Sequence, residues 1–338
     1  MLRCLSGILW SVALAVGVVQ AQPLLRISTE NTADHFQTAV VADFAERLQA
    51  RAGDRLQVRF FPNARLYRDR DVVAALREGK LEMAVPGTWQ LGRFAPDVGL
   101  YLLPLFYGQP REVQWRLQDG ELGERVDAAI ERGTRAHVLG RWIDLGHTHL
   151  YFLDRPVQRH EDLRGRRIRI AGGLANAARL RGLGVEPVLV AWPDLPVALE
   201  RGEVDGLLTS HVTVASARLW ELGVRHAFED RQYFARYVPL VADSFWRRLP
   251  ADLQALIQAT WEEGVAPARA MAMDAQIRAR DTLQGHGIRI VTPPLAAWQR
   301  WREALLAGQP ALVAELGIDP TLVALAHQAL ERRDEPVP

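Results

Sequence analysis

From Leu24 onward, short apolar runs alternate with longer segments whose apolar residues recur at the helical period. That alternation restricts the chain to an α/β fold, with sheets covered by helices. The run LLRIS at 24–28 reads as a strand. Segment 33–52 reads as a helix that carries Phe36, Val40, Phe44 and Leu48 on one stripe. Further strands are expected at 56–61, 81–86, 100–103 and 137–143, with helices near 69–77 and 119–132, and together these close as one unit. A second unit begins near Gly146, with strands at 149–153, 166–171, 185–190 and 204–208 and helices near 174–181 and 194–201. The apolar run 237–241 returns to the first unit. Segment 251–284 is rich in helix formers and ends at Gly285-His286-Gly287. At about 1.5 Å per residue it would span on the order of 50 Å, longer than one small domain is wide, so it should cross both units. Gly264 and Pro267 argue for a kink in it or for two helices end to end. One more strand at 288–291 and a helical remainder complete the chain.

Residues 1–21 stand apart. Arg3 opens them, an apolar run covers 8–19, and Val19-Gln20-Ala21 is a small-x-small site, which together read as a secretory signal peptide cleaved after Ala21. The run falls short of the ~20 residues a membrane span needs. Cys4 lies before it and leaves with the leader, so the mature chain has no cysteine and no disulfide. A periplasmic protein stabilised by its core is expected. The 41 basic residues balance 40 acidic ones, and loss of Arg3 makes the mature charge zero, which leaves no basic field for nucleic acid or an anionic membrane. Of the basic residues only Lys80 is lysine. Arginine is therefore the default surface cation, and a lone arginine is uninformative by composition.

The mature chain contains no cysteine nucleophile, Gly-x-Ser-x-Gly, His-Glu-x-x-His, Walker loop or Gly-x-Gly-x-x-Gly after a strand. No catalytic residue, metal or cofactor is assigned. His147 and His149 lie two apart, on one face of a strand, but no third and fourth metal ligand sits at a recognisable spacing. Asp205 reads as an Asp-Gly turn closing a strand rather than as a catalytic acid. Most of the tryptophans should be core. Trp89 and Trp192, each in a loop just past a strand, are the ones placed to floor a cleft.

Six short motifs follow one another along nearly the whole mature chain: FPNARL (61–66), LREGKLEMAVP (76–86), LPLF (103–106), EDLRGRRIRI (161–170), ALERGEVDG (198–206) and LPADLQ (249–254). In this order and spacing the chain resembles the extracytoplasmic solute-binding proteins of TRAP transporters, in their DctP-type branch. The resemblance implies a two-lobed periplasmic binding protein fold, each lobe a mixed sheet flanked by helices, joined by crossing strands and a long spanning helix. The lobes are expected at 22–146 plus 235–275 and at 147–234 plus 276–338. It also implies that a small organic acid is captured between the lobes and delivered to the membrane subunits of a TRAP permease. A monomer is expected, with a dimer through the C-terminal helices as the alternative. In this family an arginine in the strand after the Asp-Leu-x-Gly turn binds the ligand carboxylate, and Arg169 matches it. A planar guanidinium can hold a carboxylate through two parallel hydrogen bonds. The second arginine common in the family after the opening glycine is replaced by His147 and Thr148. The position after the Val-Asp-Gly strand is Thr209, followed by Ser210 and His211. Ala171-Gly172-Gly173 stands where the family has Pro-x-Ser/Asn, with Gly172 expected to offer backbone N–H groups to an anion. From the first lobe, Asn31, His35, Thr88 and Trp89 match pocket-lining positions, as does Tyr237 on the returning strand. Two other classes use the same cleft: a periplasmic enzyme with His147, His149 or Asp205 as acid–base group, and a ligand-sensing subunit of a signalling system.

Overall fold

The computed structural model describes residues 22–331, so the leader expected at 1–21, with Cys4, and the tail from 332 onward lie outside the described residues. Eleven strands occur among the described residues: β1 (Leu24–Ser28), β2 (Gln57–Phe61), β3 (Met83–Ala84), β4 (Ala136–Val138), β5 (Ile143–Phe152), β6 (Arg167–Ile170), β7 (Glu186–Leu189), β8 (Gly206–Thr209), β9 (His226–Tyr237), β10 (Leu240–Ala242) and β11 (Arg289–Val291). They form two mixed sheets, of order β2-β1-β3-β10-β4 and β11-β9-β5-β8-β6-β7. In each sheet the βα crossovers give parallel pairs, and the return of β10 and of the long β5 and β9 supplies antiparallel ones. β5 and β9 pair along most of their length, with register shifts at Asp144/Gly146 and Thr148/Leu150. β9 then passes within three residues into β10 of the first sheet.

Burial follows the alternation of the strands. Leu150 and Phe152 of β5 join Ile168, Ile170 and Phe228 on one face of the second sheet, and Tyr151 joins Leu207 and Ala227 on the other. The first sheet has one large core, to which the helix Phe36–Ala52 contributes Val41, Phe44 and Leu48. Gly206 shows why the Val-Asp-Gly run carries a glycine: a Cβ there would meet the Tyr151 carbonyl oxygen of the neighbouring strand.

The helix Ala251–Gly285 runs unbroken for 35 residues. Its Leu253, Trp261 and Ala272 pack into the first core and its Leu283 into the second, so it crosses both sheets as the length implied. No second helix begins at Pro267, which lies exposed within the one continuous helix. Gly264 serves the packing instead, since a Cβ would press on the Arg47 guanidinium. Two other expectations change. Segment 100–103 is not a strand but the end of a 3-10 helix, Pro96–Leu102, since a short buried apolar run does not distinguish the two. The run 137–143 divides, with 139–142 turning between β4 and β5. Of the C-terminal helices, Trp301 and Leu305 pack on the second core, and Val313, Leu322, Ala326 and Leu330 enter the first.

Trp142 is fully buried beside the start of β5, and its indole Nε1 donates to Asp127 Oδ1 at 2.9 Å. Burial, with Glu131, Asp119 and Glu124 nearby, pushes the Asp127 carboxyl up to about 8. The native state therefore holds this proton more tightly than the unfolded chain. Its contribution to stability is complete below the ordinary carboxylate range and is lost as pH rises through about 8. Asp127→Asn keeps an acceptor for the indole without the charge. In urea unfolding the variant should gain on the wild type steadily between about pH 5 and pH 8, and a constant difference across that range would contradict the account.

Candidate functional site

Between the two sheets lies a cavity of about 50 Å³ lined from both sides, by Glu30, Asn31, Asp69 and Trp89 from the first and by Arg169, Asn176, Trp192 and Thr209 from the second, with Thr148 and Tyr237 from the crossing strands. Glu30 and Asn31 follow β1, Arg169 and Ala171 close β6, and Thr209 ends β8. The cavity thus sits at carboxyl ends of parallel strands, where the following loops diverge and leave room.

Arg169 is 2% exposed. Its Nε donates to the Val190 carbonyl at 2.9 Å, which fixes the guanidinium plane, and the guanidinium lies 5.6 Å from the centre of the Trp192 ring. Its Nη2 has no hydrogen-bond partner. Burial lowers the pKa to about 10, against the pull of Glu30, so the group remains a cation at neutral pH. A buried cation with an unspent donor is costly unless an anion completes it. Two further polar atoms of the lining, Trp89 Nε1 and Asn176 Oδ1, are also buried without partners.

Opposite the arginine are two carboxyls that the sequence did not single out. Glu30 Oε1 accepts the Asp69 backbone N–H at 3.2 Å. Burial raises the Glu30 pKa, with the Asp69 N–H and Arg169 opposing, while burial and then the Glu30 charge push Asp69 well up. Glu30 was legible in principle, as the second residue past a parallel strand. Asp69 was masked because an acid at a helix start has an ordinary capping use.

The structure gathers seven of the expected residues around the cavity: Arg169, Thr209, Trp89, Trp192, Asn31, Thr148 and Tyr237. Tyr237 hydroxyl accepts from Asn31 Nδ2 at 2.9 Å, so the two form one wall. Thr88 and His35 lie behind it. The Thr88 hydroxyl is spent on Tyr233 at 2.7 Å, and His35 caps the helix Phe36–Ala52 through Nδ1 while Nε2 meets Thr213 Oγ1 at 3.4 Å. Gly172 does not line the cavity: a Cβ there would meet Gln90 Oε1 at 3.0 Å, and Gln90 Nε2 donates to the Ala171 carbonyl at 3.2 Å. Gly173, at φ +91°, approaches the Trp89 carbonyl as closely. These glycines let the loop of one sheet close on the other. His147 points to the opposite face of β5 and lines a second cavity. Asp205 holds Arg167, accepting its backbone N–H at 2.8 Å and its Nη2 at 2.6 Å, and this ion pair keeps its pKa low. That carboxylate is a strand lock, outside the lining of the cavity.

A family model described as bacterial extracellular solute-binding protein, family 7 (DctP), matches residues 27–310. The C4-dicarboxylate-binding periplasmic protein DctP of Rhodobacter capsulatus is 24% identical over 298 residues, 86% of this chain and 87% of that one. Among solved structures, the sugar acid binding protein of Advenella mimigardefordensis in complex with galactonate superposes with a TM-score of 0.86 at 18% identity, covering 93% of this chain and 99% of that one. A TRAP periplasmic solute-binding protein of Sulfurospirillum deleyianum with bound succinate gives 0.82 at 21% identity, covering 92% and 100%.

Proposed function

The chain belongs to family 7 of the bacterial extracellular solute-binding proteins, the DctP type, and on that premise we propose that it captures a small hydroxy- or amino-substituted monocarboxylate between its lobes and delivers it to a TRAP permease in the periplasmic space. The observation that carries this reading is Arg169, buried and cationic with Nη2 unpaired at a cavity shared by both sheets. The ligand carboxylate completes its hydrogen bonds. With Nε committed to Val190, the guanidinium is pre-organised for a fork-like grip. No bond in the ligand needs to be made or broken.

The Glu30 and Asp69 carboxyls narrow the ligand class. A second ligand carboxylate there adds negative charge at a spot where burial already disfavours the charged form of both carboxyls. A hydroxyl or ammonium instead donates to a carboxyl oxygen of the pair. On this reading the chain departs from relatives named for C4-dicarboxylates and stands nearer those crystallised with hydroxy acids such as galactonate. Asn31, Trp89, Thr148, Asn176, Thr209 and Tyr237 complete the walls.

The cavity is small and lined by both sheets, so uptake works by the lobes parting, and the hinge falls where β5 and β9 cross with their register shifts and where Gly146 takes φ +102°. Division into lobes follows the two sheets, with the last helices shared. Residues 1–21 act as the export leader in this proposal. No helix among the described residues is long and apolar enough to cross a membrane.

A thermal-shift and calorimetric screen of small acids tests the reading. Hydroxy or amino monocarboxylates should bind at least ~10-fold more tightly than succinate, and Glu30→Gln should narrow that ratio by weakening the first and relieving the second. Equal or tighter binding of succinate by the wild type sinks the ligand class, and no stabilisation by any acid sinks carboxylate capture itself.

A further inference from the structure

On the face of β5 opposite Thr148, His149 meets two residues that lie far from it in sequence, His211 and Glu229. Their ligand atoms all fall within 4.8 Å of one another and all three side chains are buried. They line a cavity of about 520 Å³, separate in its lining from the one that holds Arg169, so the cluster has an access route. The spacing His147-Thr148-His149 suggested no third ligand, and the tertiary fold brings one from the helix His211–Ser216 and another from β9.

The surroundings are those of a metal site with its supporting shell in place. His211 Nε2 faces Glu229 Oε1 at 2.9 Å, while its Nδ1 meets the Tyr151 hydroxyl at 2.7 Å. Glu229 Oε2 accepts from Thr292 at 2.5 Å, and Oε1 also accepts from Arg280 Nε at 2.7 Å. His149 Nδ1 is buried with no partner at all, an imidazole nitrogen for which the protein supplies no hydrogen bond. Two imidazoles and one carboxylate, each fixed by an outer partner or packed against its neighbour, with a roomy open side for water, suit Zn²⁺ better than the hard cations that prefer oxygen.

We propose that His149, His211 and Glu229 bind one zinc ion. The ion replaces the hydrogen bond between His211 and Glu229. His211 then carries its proton on Nδ1 and donates it to Tyr151, and Glu229 keeps Thr292 and Arg280 as outer partners. The arginine offsets the carboxylate charge and so tempers the affinity. The site shares two backbone segments with the ligand cavity, because Thr148 adjoins His149 and Thr213 lies two residues after His211. Zinc therefore ties together, from behind, β5 and a helix that both contribute to the ligand wall.

The test uses the mature chain without a polyhistidine tag, titrated with Zn²⁺ by calorimetry. One equivalent should bind. His149→Ala and Glu229→Gln should each weaken it roughly 100-fold or more, and Tyr151→Phe about 10-fold through loss of the outer hydrogen bond. His327→Ala, a histidine on the C-terminal helix outside this lining, should leave the affinity unchanged. Co²⁺ in place of zinc should give the visible absorption of a four-coordinate site, readable on any variant that melts like the wild type. Absence of stoichiometric zinc binding, or equal binding by wild type and both ligand variants, overturns the proposal.

Discussion

Arg169→Ala is expected to abolish binding of the carboxylate ligand while leaving the fold intact. Truncating one partner of a buried, hydrogen-bonded charge pair costs about 2–5 kcal/mol, roughly 30-fold to several thousandfold in affinity. Two features place this case toward the upper end. The guanidinium is 2% exposed, so little water replaces the lost group, and its plane is held by Val190, so no other side chain offers the same fork. In the ligand-free protein two effects oppose: removal relieves a desolvated charge with an unpaired Nη2, but it leaves the Val190 carbonyl and the Glu30 carboxyl without their partner, so the melt should shift far less than the affinity. Calorimetry with an acid that the wild type binds tightly, together with a thermal melt without ligand, gives both readings. Near-normal affinity in the variant would mean that the carboxylate is held elsewhere. Arg169→Lys keeps the charge without the planar fork and should recover only a small part of the affinity.

The second large effect concerns the helix that spans both sheets. Arg269 sits at its middle, buried, and donates Nη1 and Nη2 to the Asp119 carboxylate at 2.6 and 2.7 Å. It also donates Nε and Nη2 to the Trp142 carbonyl, at 3.1 and 2.9 Å. It therefore fastens the spanning helix to the segment that enters β5. Arg269→Ala leaves Asp119 short of its partner and the Trp142 carbonyl unsatisfied, and loss of one member of a buried pair costs about 3–5 kcal/mol. Urea unfolding should show that loss as a lowered midpoint. A change within about 0.5 kcal/mol, the range of ordinary surface substitutions, would show that the helix is held by its apolar stripe alone. A paired Arg269→Met, Asp119→Leu variant should recover much of the stability, since a buried ion pair is replaceable by packed apolar groups.

Much of the architecture was legible because it is locally encoded. The strands at 24–28 and 166–171, the helix near 69–77 and the over-long helix after Pro250 all follow from periodicity, turn residues and length. The failures share a cause. At 100–103 and 137–143 a short apolar run was compatible with strand, 3-10 turn or a break, and only long-range packing selected among them. The site was legible where a motif frames it, at Arg169, and only partly elsewhere. Glycines 172 and 173, read as an anion cradle, instead permit one loop to close on Trp89 and Gln90, a contact that exists only because the two sheets face each other.

The order of apolar runs and turn motifs in the chain was enough to determine two α/β units, a helix crossing both and an arginine at the end of a strand, because each rests on interactions within a few residues. Tertiary structure alone decided that Glu30 and Asp69, 39 residues apart, face that arginine across one cavity, and that His149, His211 and Glu229 converge behind it. The reason is geometric. Periodicity assigns a side chain to a face of its own element, whereas proximity between elements depends on which strands pair and in what register.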